Sequence, residues 1–254
     1  MQFTTNSALF FGQNLITLSE VDSTNNYLKQ LLANTTPLPE GTAIMAENQF
    51  QGRGQMQNKW FAEPGKNLTL SFLACPSFVT VGEQFNLNKA VSLGVTDFVG
   101  SILGNRVKIK WPNDIFYGDT KLGGILIENF LSGSYLKQSV IGIGLNINQD
   151  HFPDGINAIS FKTITGKDHQ LIPCFNALSS ALEARYLQLR SGNLASINTD
   201  YLGRLFRIGE RHLYRSVDDV FEGEIIGINS LGQLQVYANE EVKEFSFKEI
   251  EFVL

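Results

Sequence analysis

A charged turn between two β-prone segments constrains the fold of this chain more than any other stretch. Residues 107–111 alternate like a strand, Pro112 cannot continue a sheet ladder, and a glycine pair opens another β-prone run at residues 123–127. The polar residues that this pattern collects at a strand end are Lys110, Asn113, Asp114 and Lys121. Such a cluster can bind an anionic ligand. A solvated hairpin is the commoner role of these charges, and the segment alone leaves both interpretations open.

Residues 21–32 predict the start of a helix. Apolar pairs recur at helical spacing, and the polar residues Ser23, Thr24 and Asn25 that precede them are suitable caps. Helix N-terminal amides and small polar side chains can also hold a polar ligand group. The segment by itself does not separate a plain helix cap from a binding site.

Glycine on both sides of Arg53 suggests a loop that can close over a ligand. Gly52 and Gly54 permit backbone conformations that other residues avoid, and they clear space beside the guanidinium. A surface turn is the commoner role of such a tripeptide. The loop is not a phosphate fingerprint, because Gln57 stands where a dinucleotide motif needs its third glycine and no Walker-type Gly-Lys-Ser/Thr occurs.

An apolar run with two glycines, residues 140–148, is typical of a buried strand. It carries two asparagines, Asn146 and Asn148, that share one face through the strand period of two. A buried amide needs hydrogen-bond partners, which the edge of a purine could supply. We assign the ligand contact to Asn146, while Asn148 could equally well hold a turn at the strand end.

Five motifs in a fixed order resemble those of biotin protein ligases, also called biotin--[acetyl-CoA-carboxylase] ligases. The motifs are Ser-Thr-Asn, Gln-x-x-Gly-Arg-Gly, Lys-Trp-Pro-Asn-Asp, Lys-Leu-Gly-Gly-Ile-Leu-Ile-Glu and Gly-x-Gly-x-Asn-x-Asn. They cover most of the first two-thirds of the chain, and five ordered motifs are far more specific than one. A segment rich in Gly, Val and Ile at the C-terminus resembles the small SH3-like domain of the same family.

The resemblance implies an α+β fold. A mixed β-sheet backed by helices, the biotin/lipoate ligase-like catalytic domain, is expected at residues 1–207, and a small C-terminal SH3-like β-barrel at residues 208–254. Apolar stripes predict helices over residues 85–99, over residues 175–189 and around residues 201–206. Residues 149–168 are expected to form a loop with some strand.

Enzymes of this family activate the valerate carboxylate of biotin with ATP, which gives biotinyl-5'-adenylate and pyrophosphate. The first step brings two anions together, and at about 4 Å and an effective dielectric of about 20 unit charges interact by roughly 4 kcal/mol. The resemblance makes Lys121 the cation that holds the biotin carboxylate and the bridging phosphate oxygen, while Arg53 fixes the reacting groups. ATP and Mg²⁺ are the expected cofactors, with no metal ligands assigned, and biotin is the substrate.

The second step passes biotin to a lysine of a biotin carboxyl carrier protein or domain, part of a biotin-dependent carboxylase. A free lysine has a pKa of about 10.4 and is almost wholly protonated at neutral pH. A carboxylate beside the adenylate can position that ammonium and help to remove its proton. The resemblance gives this role to Asp114, and a turn aspartate that caps nearby amides is the alternative.

The resemblance also assigns the remaining site residues. The biotin-binding residues are Ser23, Thr24, Asn25, Gln49, Gly52, Arg53, Gly54, Gln55, Lys121, Gly123 and Gly124. The ATP- or adenylate-binding residues are Arg53, Gln55, Asn58, Trp60, Lys110, Asn113 and Asn146. Hydroxyls and amides suit a ureido ring, which has two N–H donors and one carbonyl acceptor. Trp60 and Trp111 are either apolar surfaces beside this site or core residues.

The chain departs from the commonest form of the loop motif. Many relatives carry Gly-Arg-Gly-Arg-x-x-Arg-x-Trp, whereas Gln55 and Asn58 occupy the second and third arginine positions here. Those arginines contact the phosphates and the adenylate in relatives. Lys59, Lys66 or Lys110 is expected to compensate in part, together with the Mg²⁺ carried by ATP. We expect that the less cationic loop releases the adenylate sooner.

Composition narrows the setting. A net charge of −5 argues against general nucleic-acid binding, and the residues before Ser23 leave no room for an N-terminal DNA-binding module. No signal peptide or membrane span is apparent. Two distant cysteines, Cys75 and Cys174, suggest buried thiols, and three scattered histidines offer no zinc or triad pattern. We therefore expect a cytoplasmic monomer or homodimer without nucleic-acid or membrane partners.

Two rival functions remain at the level of sequence. A lipoate- or octanoate-handling ligase or transferase shares the catalytic fold, but the Gly-Arg-Gly loop and the Lys-Trp-Pro-Asn-Asp motif favour biotin. A non-catalytic sensor of biotin or adenylate would keep the pocket and fail to turn over. Lys121 and Asp114 favour the enzyme, and the missing loop arginines keep the sensor in consideration.

Overall fold

The computed structural model describes residues 8–34, 37–55, 58–217 and 219–253, in which the chain forms two β-sheets and five α-helices. The strands are β1 (Leu15–Val21), β2 (Ala43–Gln49), β3 (Leu68–Ala74), β4 (Val107–Lys110), β5 (Asp114–Tyr117), β6 (Thr120–Ser132), β7 (Tyr135–Leu145), β8 (Arg211–Ser216), β9 (Val220–Ile228), β10 (Leu234–Ala238), β11 (Glu241–Phe245) and β12 (Ile250–Phe252). The helices are α1 (Thr24–Asn34), α2 (Phe85–Leu103), α3 (Phe161–Thr165), α4 (Leu171–Arg190) and α5 (Leu194–Gly203).

The first sheet is mixed and has seven strands in the order β1-β2-β3-β7-β6-β5-β4. β1 and β2 run parallel, whereas the other neighbouring strands of this sheet run antiparallel. The long hairpin of β6 and β7 pairs from Gly123 opposite Leu145 to Ser132 opposite Tyr135. Strand order places β5, β6 and β7 side by side, so motifs that are distant in the sequence share one region of the sheet.

Helices pack on both faces of this sheet. Successive side chains of a strand point to opposite faces, and neighbouring residues of β2 and β3 accordingly join two different clusters. Ala43 and Phe72 belong to the main core, which also contains the buried sides of α2 and α4. Ile44 and Leu73 pack instead with Leu28 of α1. The start of α1 is thereby fixed against the sheet.

The second sheet is antiparallel throughout, with the order β11-β10-β9-β8-β12. Its interior is apolar, with Tyr214, Ile225, Leu234 and Val236 completely buried. These five short strands fit the expected SH3-like domain. Together with the helix-backed mixed sheet, they confirm the predicted α+β fold.

Buried aromatic residues join the two sheets. Trp111 is only 3% exposed, and its Nε1 donates a hydrogen bond of 2.9 Å to the carbonyl oxygen of Gly232. Its ring lies 5.2 Å from the ring of Phe247, and the ring of Phe85 lies 6.4 Å from the same phenylalanine. Trp111 is therefore a core residue at the junction, and the turn that follows it is held close to the C-terminal strands.

Two of the predicted helices are confirmed with longer bounds, and the third ends earlier than expected. α2 and α4 contain the predicted stripes, but α5 stops at Gly203. Phe206 lies beyond that end, and its backbone N–H donates to the carbonyl oxygen of Ile109 in β4. The apolar character of residues 205–206 comes from packing against this edge of the sheet and not from a helix.

The structure corrects the expected geometry of the two asparagines. β7 ends at Leu145, so Asn146 and Asn148 lie beyond the strand and do not share a strand face. The backbone N–H of Asn146 donates to Leu122, whereas that of Asn148 donates to Lys66. The chain has left the sheet ladder at this point, and the period of two no longer applies.

A short helix stands in the segment that was expected to be a loop with some strand. α3 begins after Ser160, whose Oγ accepts a hydrogen bond from the backbone N–H of Thr163, and it ends at Gly166 in the left-handed conformation. Capping at both ends accounts for a helix too short to show an apolar stripe. The strand-like part is the bridge between Ala158 and Lys121.

Both cysteines are free thiols, and the expectation that they are buried is correct only for Cys174, since Cys75 is half-buried. Burial raises the pKa of the Cys174 thiol to about 11. Of the helices in the described ranges, none combines the length and apolar character that crossing a membrane requires.

Gly232 provides a test of the junction between the sheets. Its φ is +89°, and a Cβ at this position would lie 2.5 Å from Cγ of Phe85 in α2. Gly232→Ala adds backbone strain and overpacking together, so we expect it to lower the free energy of unfolding by about 2–5 kcal/mol.

Gly209→Ala is the matched control for this substitution. Gly209 has a φ of +70°, but no atom lies within 4 Å of a Cβ built there, so strain acts alone and the expected loss is about 1–2 kcal/mol. Urea denaturation of both variants measures the difference. Equal losses would show that close packing at the junction contributes nothing.

Candidate active site

A cavity of about 690 Å³ opens between the mixed sheet and the C-terminal strands. Most of the residues predicted for the site border it: Ser23, Thr24, Asn25, Gln49, Arg53, Gly54, Gln55, Asn58, Trp60, Lys110, Asn113, Asp114, Lys121 and Gly124. Three predicted residues do not: Gly52, Gly123 and Asn146. Segments from residue 23 to residue 252 thus converge on one chamber.

An ion pair lies in the lining of this chamber. Nζ of Lys121, in β6, lies 2.7 Å from Oδ1 of Asp114, in β5. Both side chains remain partly exposed, at 33% and 22%. Gly124 pairs with Asp114 in the sheet, and a Cβ on this glycine would lie 3.5 Å from Oδ1 of Asp114 and 3.7 Å from Nζ of Lys121. The absent side chain at residue 124 leaves the pair open to a ligand.

The backbone around Lys121 is fixed from the far side by residues beyond β7. The N–H of Lys121 donates to the carbonyl oxygen of Asn157, and its own carbonyl oxygen accepts from Ile159. These contacts arise from the segment to which sequence reasoning gave no chemistry. They hold the backbone of Lys121 in place beside the chamber.

The polar residues that begin α1 form a connected network. Oε1 of Gln49 accepts hydrogen bonds from the N–H and the hydroxyl of Thr24 at 2.9 and 3.2 Å. The hydroxyl of Ser71 lies 2.8 Å from Oγ1 of Thr24 and 2.6 Å from Oδ1 of Asn25, either of which can accept its proton. Ser23, Thr24 and Asn25 are buried. The helix start is therefore both a capped terminus and a polar floor of the chamber.

The Gly-Arg-Gly loop folds back on itself. The N–H of Trp60 donates to Gly52 and the N–H of Gly54 donates to Asn58, while Arg53 pairs with Lys59. A Cβ on Gly52 would collide with the carbonyl oxygen of Trp60. Gly52 is thus required for closure of the loop and lies behind the chamber. Residues 56–57 lie outside the described part of the loop, Gln57 among them.

Gly123 and Asn113 support the strands around the ion pair. A Cβ on Gly123 would collide with the side chain of Leu145 in the neighbouring strand. Nδ2 of Asn113 donates to the carbonyl oxygen of Ile125 at 2.8 Å, and the N–H of Ile125 donates back to the carbonyl oxygen of Asn113. This reciprocal pair ties the turn after β4 to β6, even though Asn113 borders the chamber.

A second, smaller cavity of about 80 Å³, which we call the slot, adjoins the first beside Lys121. It is largely apolar, and its lining residues are Lys59, Trp60, Phe61, Lys121, Asn146, Phe152, Pro153, Ile156 and Ala158. Four of them come from residues 149–168, and no periodicity in that segment signalled them. Lys59, Trp60 and Lys121 border both cavities, so the Lys121 side chain lies where the two meet.

Two residues that line this slot each carry a buried polar atom without a hydrogen-bond partner within the described ranges, Oδ1 of Asn146 and Nε1 of Trp60. Nδ2 of Asn146 donates to the carbonyl oxygen of Ile159, which fixes the orientation of the amide. The indole of Trp60 lies directly over Gly144, where a side chain would not fit. Because buried polar groups normally find partners, an acceptor and a donor here suit a planar polar ring.

Asn148 has a structural role of its own. Its Nδ2 donates to the carbonyl oxygen of His169, and its Oδ1 accepts from the N–H of the same residue, both at 2.8 Å. The side chain is therefore fully used in holding the segment after α3. The sequence left a ligand contact and a turn at the strand end as alternatives for Asn148, and these hydrogen bonds agree with the turn.

Lys110 is the cation of the chamber with the most unusual surroundings. Its Nζ lies 4.9 Å from the ring centroid of Phe116 and 5.1 Å from that of Phe252. Burial lowers the pKa of the Lys110 ammonium, against the opposing effect of Asp114. Lys59 also borders the chamber, whereas Lys66 is exposed and borders neither cavity. Only two of the three proposed compensating lysines are therefore suitably positioned.

The C-terminal part of the chain contributes Phe247 and Lys248, from the turn between β11 and β12, and Ile250, Glu251 and Phe252 of β12 to the chamber. Lys248 has a φ of +71°, which is uncommon for a residue other than glycine. Sequence reasoning missed these residues, because nothing in a short β-rich pattern indicates which turn will face a distant site. Among the described residues there is no group of three or more His, Cys, Asp or Glu that could hold a metal ion.

Comparison with known proteins agrees with this geometry. The model of the biotin/lipoate A/B protein ligase family matches residues 18–146. The chain is 30% identical over 200 residues to a biotin--[acetyl-CoA-carboxylase] ligase of Mycobacterium tuberculosis, with 76% of this chain and 71% of the relative covered. It is 28% identical over 244 residues to a bifunctional ligase/repressor BirA of Bacillus subtilis, with 94% of this chain and 74% of the relative covered.

A solved structure, the biotin protein ligase from Aquifex aeolicus in complex with biotin and ATP, superimposes with a TM-score of 0.78 at 27% identity and covers 94% of this chain and 98% of that one. The family expected from the five motifs is thus confirmed. The chain belongs to the biotin/lipoate A/B protein ligase family.

Proposed function

We propose that this chain is a biotin protein ligase, which activates biotin with ATP and transfers it to a lysine of a biotin carboxyl carrier domain. The observation that carries the proposal is the position of Lys121. Its ammonium pairs with Asp114 at 2.7 Å, and the residue borders both the polar chamber and the apolar slot. A cation at such a boundary can hold the acid group of one substrate against the phosphate of another.

The two cavities differ in the way that biotin and ATP require. The hydroxyls and amides around the start of α1 suit the ureido ring, since a ureido group offers two donors and one acceptor. The apolar slot, with its free acceptor on Asn146 and free donor on Trp60, suits an adenine ring. Biotin in the chamber and adenine in the slot would bring the carboxylate and the α-phosphate to Lys121.

Lys121 would lower the barrier to adenylation by neutralising the charge that accumulates as the carboxylate attacks phosphorus. The carboxylate oxygen forms the bond to the α-phosphate, and pyrophosphate leaves with the electron pair of the broken bond. A fixed cation needs no reorganisation at that moment, which is the main advantage of a preorganised site. Arg53, at the rim of the chamber, supplies a second positive charge.

Asp114 would act in the transfer step. Its Oδ1 lies 2.7 Å from Nζ of Lys121 in the free protein. In the proposed complex, the same carboxylate would lie beside the acyl carbon of the adenylate. It can then orient the incoming carrier ammonium and take up its proton, so that the free amine attacks and AMP leaves.

We further propose that Mg²⁺ enters with ATP, because nucleotide phosphates usually provide several of its ligands. The biotin- and ATP-binding roles assigned from the sequence are retained as proposals, with Gly52 and Gly123 acting through the close packing that they permit. The acceptor is the carrier domain of a biotin-dependent carboxylase, the expected compartment is the cytoplasm, and the protein acts as a monomer or homodimer.

We place the boundary between the two domains at residues 207 and 208. Ile208 already pairs with Ile225 of the second sheet, and the N–H of Gly209 donates to the same residue. Arg207, just before this point, has a φ of +62° and begins the new direction of the chain.

The function is tested by incubating the purified chain with ATP, Mg²⁺ and an apo carrier domain, together with biotin, lipoate or octanoate. Mass spectrometry of the carrier should reveal biotin on a single lysine and no modification by the other two acids. Omission of Mg²⁺ in the presence of EDTA should stop the reaction. Modification by lipoate instead of biotin, or none with any acid, would reject the proposal.

Lys121→Met removes the cation at the boundary and keeps the length of the side chain. Loss of one preorganised electrostatic group typically costs a factor of about 100 or more, so we expect at least that decrease in the rate of biotin-dependent pyrophosphate release. Lys137→Met, on an exposed position of β7, is the matched control and should keep the rate of the unchanged protein. Comparable activity of the two variants would remove Lys121 from the mechanism.

Asp114→Asn should impair transfer more than adenylation. Loss of a general base costs about 100-fold or more, and a single-turnover reaction that starts from added biotinyl-5'-adenylate isolates this step. Raising the pH should recover part of the transfer rate, because more of the carrier lysine is then deprotonated. Asp119→Asn, exposed in the same hairpin, is the control. If Asp114→Asn left the transfer rate unchanged, the only role of this carboxylate would be its ion pair with Lys121.

The polar residues at the two arginine positions of the loop predict rapid loss of the intermediate. Gln55 and Asn58 border the chamber, and arginines there could each donate charge-assisted hydrogen bonds to the adenylate. Gln55→Arg combined with Asn58→Arg should slow adenylate release by about 10- to 100-fold in the absence of carrier. Gln51→Arg adds one positive charge outside the chamber, where the double change adds two beside it, and should not slow release. Equally tight retention before and after the double change would contradict the expectation.

A further inference from the structure

We infer that Glu128 is a positioning residue for adenylation: its carboxylate orients Arg53 over the chamber before substrates bind. The inference rests on the proposed function, in which Arg53 contacts the reacting groups. Glu128 lies in β6, seven residues after Lys121, and none of the roles assigned so far involves it. It would act through Arg53 and not through direct contact with a substrate.

Three donors from two segments, α1 and the Gly-Arg-Gly loop, converge on this carboxylate. Oε1 accepts from Nζ of Lys29 at 2.8 Å and from a terminal nitrogen of Arg53 at 3.3 Å. Oε2 accepts from Nδ2 of Asn25 at 2.8 Å. The group is therefore the point at which α1, the Gly-Arg-Gly loop and β6 are joined.

Arg53 is held by one end of its guanidinium only. The same terminal nitrogen that faces Glu128 donates at 2.7 Å to Oδ1 of Asn26, whose own Nδ2 donates to Asp22. Within the described ranges, Nε and the second terminal nitrogen of Arg53 form no hydrogen bond. Because the guanidinium is planar and rigid, fixing one nitrogen sets the direction of the others. The unoccupied donors remain available to an anionic ligand in the chamber that Arg53 borders.

The charge state of Glu128 suits this task. Partial burial by itself would raise the pKa of the carboxyl, but the hydrogen bonds from Lys29 and Asn25, together with the positive charges of Lys29 and Arg53, hold the pKa below its ordinary value. An amide at this position could not replace the carboxylate. Its NH₂ would have to face at least one of three donors, since Lys29, Arg53 and Asn25 all approach with N–H groups.

Preorganisation matters because the side chain of Arg53 is 42% exposed and long. Ordering such a side chain at the moment of binding costs conformational entropy, which an arginine already held in place has lost in advance. Coupling through Glu128 also connects Asn25, in the polar floor for the ureido ring, with the cation near the reacting acid. Asn25 and Arg53 would then contact the two ends of one biotin molecule while both are hydrogen-bonded to the carboxylate of Glu128.

Two other roles for Glu128 predict different behaviour. A purely structural clamp would join α1 to β6 through Lys29 and would change stability without selective kinetic effects. If Glu128 acted by orienting Asn25 instead, its loss would weaken biotin binding and leave kcat/KM for ATP unchanged. A double-mutant cycle separates these from a route through Arg53, since contacting residues are non-additive and independent ones are additive.

The experiment compares Glu128→Gln, Arg53→Gln and the double variant in steady-state adenylation, measured as pyrophosphate release with biotin and with ATP varied in turn. We expect Glu128→Gln to lower kcat/KM by about tenfold for both substrates. In the Arg53→Gln background the same change should alter kcat/KM by less than about twofold, because the residue through which Glu128 acts is already absent.

Two further variants serve as controls. Glu20→Gln removes another carboxylate that accepts a hydrogen bond from an asparagine, in the exposed pair with Asn48, and should leave adenylation unchanged. Lys29→Met removes the other cation on Oε1 of Glu128 and should lower kcat/KM by less than about twofold. Thermal melting of each variant shows whether a kinetic loss merely follows a loss of fold.

Each outcome has a definite reading. Strong non-additivity with effects on both substrates supports the inference. Additive losses, an effect on biotin KM alone that persists in the Arg53→Gln background, a Lys29→Met loss equal to that of Glu128→Gln, or a rise in activity on removal of the negative charge would each overturn it. If the unchanged protein forms no adenylate at all, the proposed function fails first, and that result is visible before any variant is made.

Discussion

The ion pair between Lys121 and Asp114 is the interaction on which the rest of the site depends. Two oppositely charged groups 2.7 Å apart are stable at a partly exposed position, but they also keep an ammonium and a carboxylate ready in one place. The antiparallel pairing of β5 and β6 fixes their separation, and the segment after β7 fixes the backbone of Lys121. Lys121 borders both of the surrounding cavities.

Space around the pair is provided by glycines that serve different needs. Gly124 leaves the pair uncovered, Gly144 admits the indole of Trp60, and Gly52 allows the arginine loop to close on its own backbone. A Cβ at Gly52 or Gly144 would collide with its neighbours, whereas a Cβ at Gly124 would make ordinary contact with Asp114 and Lys121 and take up space beside the pair. The sequence does not distinguish these glycines, but in the structure Gly124 and Gly144 line the chamber, whereas Gly52 lies behind it.

Several features could be predicted from the sequence because they depend on local patterns of residues. The apolar stripes of α2 and α4, the charged turn after β4 and the polar start of α1 are local patterns, and each appears where the pattern indicated. Non-local features were less accessible. The second cavity depends on Phe152 and Ile156, which lie in a segment without periodicity, and the end of β7 before Asn146 depends on contacts that the strand period does not encode.

The sequence by itself determined which chemical groups are present, in which order, and that they match one family of ligases. Only the tertiary structure decided which of those groups meet. Glu128 reaches Lys29 and Arg53 across 99 and 75 residues, and Phe252 comes to lie over Lys110. The physical reason is that local patterns set helices and strands, whereas the pairing order of strands and the packing of the buried faces bring distant side chains within hydrogen-bonding distance.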